Sequence, residues 1–210
     1  MGLIQLLFKD PAAFILLSIL LLYSVIFHEM AHGWVAYKMG DPTAKALGRL
    51  TLNPLKHLDP FGSLMLLIVG FGWAKPVPVN LGNIPSHERR KGLILVSAAG
   101  VTANLICAFI ALLLFRLIAP LPSETLGGIL RLLARINLIL AAFNLIPIPP
   151  LDGSKIVMGF APESMNRYFH YIEPFSFFII IGLLLSGLLN PVINLFQNAL
   201  WALISVFLPG

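Results

Sequence analysis

His28-Glu29-Met30-Ala31-His32 lies inside an apolar stretch long enough to cross a bilayer. On an α-helix, positions i and i+4 share a face, so both imidazoles can point at one metal ion. Glu29 stands between them in sequence and can take a proton from a water that such a metal holds. Five residues recur by chance, and it is the surroundings that give them weight. Two histidines and a carboxylate at membrane depth are costly unless they serve a function there. The expected chemistry is metal-dependent hydrolysis at a centre buried in lipid. The rival readings are a membrane metal transporter and a metal-binding scaffold without proteolysis. Transport needs polar groups along several spans, and residues 93–119 and 175–208 carry few.

A catalytic zinc ion takes three protein ligands and keeps one position open. Asp152 is the best candidate for the third. It follows the helix-breaking Pro147-Ile148-Pro149-Pro150 run, and Gly153 beside it permits a sharp turn that aims the carboxylate inward. The alternative is a plain turn residue, since Asp-Gly is a common turn dipeptide. Asp41 and Asp59 precede prolines in loops, and Glu163 and Glu173 sit in a polar connector. His57 and His170 read as lone loop histidines, and His87, beside Glu88-Arg89-Arg90, as solvated. Asn144 either donates to the oxyanion of a tetrahedral intermediate or to substrate backbone, or caps carbonyls where its helix unwinds. Asn104 with Gly100 reads as a close-packing position between spans.

The elements that must position these groups follow from composition. Of 210 residues, 58% are hydrophobic and 11% charged, with a mean hydropathy of +0.91. A soluble domain carries about 25% charged residues, so this chain cannot cover a globule with polar surface. The expectation is an all-α membrane protein: a polytopic bundle of five or six spans in a single domain over 1–210, with a catalytic core at 12–160 and C-terminal helices at 175–208. Asp10-Pro11 marks a helix start, and Gly40 with Asp41-Pro42 marks its stop. Residues 12–27 read as a retained span rather than a signal peptide. Phe61–Phe71 is apolar but about half the length required to cross, and Gly72–Asn80 is broken by Pro76 and Pro78. Residues 60–80 therefore read as a re-entrant or β-hairpin segment, which membrane depth tolerates only inside protein or beside a wet cavity. A short sixth helix is the competing reading. The extended part could also hold a peptide by edge pairing.

The net charge is +5, and the basic residues are scattered without aromatic interleaving, which argues against nucleic acid. Lys38, Lys45, Arg49, Lys56, Lys75, Arg89, Arg90 and Lys91 lie on one side of the expected topology, against Arg116 and Arg131 on the other. The positive-inside rule puts residues 38–92 in the cytoplasm and the centre towards the cytoplasmic side of a multi-pass plasma-membrane protein. Cys107 is the only cysteine, so an intrachain disulfide and cysteine-ligated zinc are both excluded.

Together, His28-Glu29-x-x-His32, the Gly72–Asn80 segment and Asn144 through Asp152-Gly153 resemble the site-2 protease family of intramembrane zinc metalloproteases. The likeness covers residues 12–160. It implies a three-helix core, one Zn2+ per chain on His28, His32 and Asp152, Glu29 as the base and Asn144 assisting the intermediate. It also implies that the 60–80 segment presents or gates substrate. The implied partners are a transmembrane protein substrate and the bilayer, with regulation by a second copy or another membrane protein. Val101, where many relatives carry proline after the glycine, and Ser154, in place of a second glycine, depart from the family pattern without touching a proposed ligand. The sequence shows no PDZ insert and no nucleotide-sensing appendage, which suits a minimal member.

Overall fold

In a computed structural model of the chain, residues 3–69, 72–118 and 124–209 are described, and these are mostly helical with no strand among them. Helix α1 (Leu3–Lys9) leads into α2 (Pro11–Lys38). The Asp10 carboxylate accepts from the Ala13 amide at 3.0 Å, and Pro11 fills the first turn, where no N–H is needed. α2 ends before Gly40, whose φ of 105° favours glycine. The His-Glu motif thus sits past the midpoint of one continuous 28-residue helix.

A short α3 (Thr43–Ala46) and α4 (Pro60–Val69) follow. Residues 72–80 are chain without helix or ladder partner, and residues 70 and 71 lie outside the described residues. Within 60–80, then, the structure has a ten-residue helix and a chain segment with no paired strand among the described residues. Helices α5 (Arg89–Ile118), α6 (Glu124–Asn144), α7 (Asp152–Phe160), α8 (Glu163–Ile172), α9 (Ser176–Leu185) and α10 (Asn190–Ser205) complete the fold.

Among the described residues, four helical runs are long and apolar enough to cross a membrane: Pro11–Lys38, Ser86–Ile118, Glu124–Asn144 and Asn166–Leu185. At 10 and 16 residues, α4 and α10 are shorter than the roughly 20 that a crossing needs. The polar connector expected near 163–173 is itself helical, and it extends the run that leads into α9.

Side chains are distributed the opposite way to those of a soluble bundle. α2 exposes Ile15, Ile19, Tyr23 and Phe27 at four-residue spacing, and buries Ser24, His28, His32 and Ala36. α5 exposes Ile106, Ile110, Leu114 and Leu117, and buries Val96, Gly100, Asn104 and Ala108. Bulky apolar groups face out while polar and small groups face in, which suits a lipid solvent. This is an integral membrane protein.

α5 is the central helix and packs against α2, α6 and α7. Alanines 108 and 111 of α5 and alanines 134, 141 and 142 of α6 let those two helices approach closely, with Leu200 and Ile204 of α10 closing the cluster. Ile146, Leu151, Ile180 and Leu189 form a second cluster that seats the bend between α6 and α7.

Candidate metal centre

Two rows of residues spaced by four face each other across antiparallel helices. α2 offers Ser24, His28 and His32, and α5 offers Val96, Gly100 and Asn104. His32 Nδ1 donates to the Val96 carbonyl at 2.6 Å, and His28 Nδ1 donates to Asn104 Oδ1 at 2.6 Å. A backbone carbonyl can only accept, so His32 carries its proton on Nδ1 and leaves Nε2 as a bare lone pair. The same holds for His28 while Asn104 presents its oxygen.

The two Nε2 atoms lie 3.0 Å apart, and Asp152 Oδ2 lies 3.2 Å from each. All three residues are buried. Ligands about 2.0–2.2 Å from a tetrahedral zinc stand roughly 3.3 Å from one another, so the observed triangle has the right edges. One proton can bridge only one pair of these acceptors, whereas a divalent cation satisfies all three. Asp152 Oδ2 is also buried with no hydrogen-bond partner, the condition of a carboxylate shaped for an ion. Gly100 completes the cradle. A Cβ there would fall 2.6 Å from His28 Nε2 and even closer to His32 Nε2.

Asp152 arrives by a route that differs from the expected turn. It is the first residue of α7, and Gly153 behind it has no positive φ. Glycine is required there because a side chain would overlap the Leu145 carbonyl as the chain doubles back on the end of α6. Close approach, rather than turn conformation, brings the carboxylate to the histidines.

Glu29 is held from another direction. Its Oε2 accepts from the Val77 amide at 2.7 Å. Val77 also packs against Gly33, one turn along α2, where a Cβ would lie 2.7 Å from the valine methyl. The 72–80 segment is clamped on both sides of this contact. The Lys75 amide donates to the His57 carbonyl at 2.8 Å, and Arg49 Nη2 donates to the Lys75 carbonyl at 2.7 Å. At the far end the Asn80 amide donates to Asp41 Oδ2 at 2.6 Å.

Asp41 lies in the loop between α2 and α3, as expected, and it is fully buried there. Its carboxylate also accepts from the Thr43 amide, the Thr43 hydroxyl and Asn83 Nδ2. Burial pushes its pKa up, but the hydrogen bonds from Thr43, Asn83 and Asn80 outweigh that and hold it below the usual aspartate value. The stability it contributes is therefore complete above the unfolded pKa of about 3.9, and is lost only as pH falls through the lower folded value. Asp41→Asn turns an NH2 group towards donors. It is expected to cost about 1–3 kcal/mol and to lower the melting temperature in detergent.

The sequence profile of peptidase family M50 matches residues 118–186. YwhC of Bacillus subtilis (strain 168), provisionally named a zinc metalloprotease, is 40% identical over 205 residues, which is 92% of this chain and 93% of YwhC. The chain belongs to peptidase family M50. Rip2 of Mycolicibacterium smegmatis, named in the same provisional way, is 31% identical over 174 residues, 80% of this chain and 66% of its own. Zinc metalloprotease MJ0392 of Methanocaldococcus jannaschii is 26% identical over 199 residues, 91% of this chain but 46% of its own. No solved structure matches the chain. As an M50 member it is a zinc metallopeptidase of the site-2 protease type, in agreement with the resemblance carried by its motifs.

The remaining candidates of this M50 chain take distinct places. Asn144 ends α6 half-buried, and its Nδ2 donates to the Leu140 carbonyl at 2.9 Å, one turn back in the same helix. His57 is fully buried with Nε2 donating to the Thr51 carbonyl, and His87 is exposed. Asn104, read from the sequence as a packing residue, touches His28 directly. The available signal was its spacing of four from Gly100, which matches the spacing of the two histidines.

Proposed function

We propose that the protein hydrolyses peptide bonds in or near transmembrane segments of membrane-protein substrates, with zinc held by His28, His32 and Asp152. The observation that supports this most is the convergence of three bare acceptor atoms at 3.0–3.2 Å on the inward face of lipid-facing helices. When bound, zinc supplies Lewis acidity for the scissile carbonyl and for water. Glu29 takes the proton of the attacking water and passes it to the leaving amide nitrogen. The Val77 amide holds Oε2 of Glu29, which leaves Oε1 to carry that proton. Asn144 gives one N–H to Leu140, and its second N–H is assigned to the oxyanion or to substrate backbone.

A substrate helix hides its carbonyls in hydrogen bonds, so it must unwind locally before water can attack. The 72–80 chain, clamped beside Glu29, is assigned to present the unwound segment by edge pairing. Residues 60–80 re-enter the membrane in this reading, and the helices form one domain over 1–210 with its core at 12–160. The excess of Lys and Arg in residues 38–92 supports a centre towards the cytoplasmic side of the plasma membrane. Regulation falls to a second copy or to another membrane protein.

The test is reconstitution in proteoliposomes with a single-span substrate. Zinc chelation is expected to abolish cleavage, and added zinc to restore it. Cleavage indifferent to chelation would overturn the metalloprotease reading. Metal flux into vesicles without cleavage would favour transport.

A further inference from the structure

The geometry points to a one-way hydrogen-bond relay, from His28 through Asn104 and Asn137 to Ser24, that sets the tautomer and aim of His28 and makes Asn137 and Ser24 positioning residues although neither touches the centre. The inference rests on the reading that His28 holds zinc.

An amide side chain can present either its oxygen or its nitrogen, and its other partners decide which. Asn104 Nδ2 donates to Asn137 Oδ1 at 2.8 Å, which turns Asn104 Oδ1 towards His28. Asn137 is oriented in turn, because its Nδ2 donates to Ser24 Oγ and to the Leu133 carbonyl, each at 2.9 Å. The Ser24 hydroxyl spends its proton on the Leu20 carbonyl at 2.7 Å, so its oxygen has only lone pairs left for Asn137. The chain ends on two helix carbonyls, Leu20 and Leu133, which can only accept. Reversing any amide would bring two donors or two acceptors face to face. The direction of every link is therefore determined from the far end, and His28 must donate from Nδ1 and keep Nε2 bare.

Water cannot stand in for a missing member. Asn104 and Asn137 are 1% exposed and Ser24 is 2% exposed. The two histidines also differ in what they depend on. His32 is fixed by the Val96 carbonyl, which cannot flip, whereas His28 is fixed by an amide that can. The relay crosses α2, α5 and α6, so it couples the seating of α6 to the aim of one ligand. Partners of this kind typically change metal affinity 10- to 100-fold when removed.

The experiment is chelator competition for zinc on the purified full chain in detergent, comparing wild type, His28→Ala, Asn137→Leu, Asn137→Asp, Asn104→Leu and the Asn104/Asn137 double Leu variant. Asn137→Leu is expected to weaken zinc binding about 10- to 100-fold. Asn137→Asp, taken up in its protonated form at this buried position, keeps an acceptor for Asn104 Nδ2 and an O–H donor for the Leu133 carbonyl, and should stay within about threefold of wild type. Because Asn137 acts through Asn104, the double variant should be no weaker than Asn104→Leu alone. Wild-type affinity in Asn137→Leu would overturn the relay. Equal losses in the Leu and Asp variants, or additive losses in the double variant, would reduce Asn137 to a packing residue and overturn it as well. If His28→Ala binds zinc as wild type does, the ligand reading itself fails and the relay falls with it, which separates the two failures.

Discussion

Glu29→Gln in the reconstituted protein is expected to slow peptide-bond hydrolysis about 100- to 10,000-fold, the range that a positioned general base supplies. Zinc content should stay unchanged, because Glu29 is not one of the three converging acceptors. The substitution is nearly isosteric. Gln keeps an oxygen that can accept from the Val77 amide, so the 72–80 segment should stay in place and only the proton acceptor is lost. The pairing of outcomes is diagnostic. Equal cleavage by both forms would remove Glu29 from the mechanism, whereas loss of cleavage together with loss of zinc would show that the variant had damaged the fold. Measuring metal content and cleavage on the same preparation separates these cases.

Gly100→Ala is the second large effect, and sequence alone does not call for it. A single methyl would fall 2.6 Å from His28 Nε2, inside van der Waals contact and in the direction from which both imidazoles present their lone pairs. Neither ring can retreat cheaply, since each is held from behind at 2.6 Å, by the Val96 carbonyl and by Asn104. The expected result is that bound zinc falls from about one per chain to near zero and cleavage falls with it, checked by elemental analysis of the purified variant. The helix itself should tolerate the change, because alanine is the better helix former by roughly 1 kcal/mol. Undiminished zinc binding in a folded Gly100→Ala protein would mean that the metal sits elsewhere.

Much of this centre was legible before any coordinates. The i, i+4 spacing of His28 and His32 on an apolar helix already put two imidazoles on one face, and the Asp10-Pro11 start and Gly40 stop of α2 followed from local backbone chemistry. Apolar length carried the crossing helices α2, α5 and α6, with ends displaced by a few residues. Local pattern misled where the decisive contacts are distant. Asp41 is the loop aspartate before a proline that the sequence indicates, but its burial as the acceptor that anchors Asn80 was not legible. His57 read as a lone loop histidine, yet it is fully buried, with Nε2 donating to the Thr51 carbonyl.

What the chain determined by itself is the solvent and the reagents: a lipid-embedded helical protein with two imidazoles and a carboxylate on one helix, because composition and helical period are properties of contiguous residues. What only the tertiary structure decided is which partners those groups meet. Asp152 reaches the imidazoles because Gly153 lets α7 press against the end of α6. Gly100 proves to lie against both imidazoles, and Asn104 to be the partner of His28, because α5 runs antiparallel to α2 in that register. Val77 orients Glu29 from 48 residues away. Pairings at such separations depend on how helices pack, and packing is a property of the whole bundle that no short stretch of sequence contains.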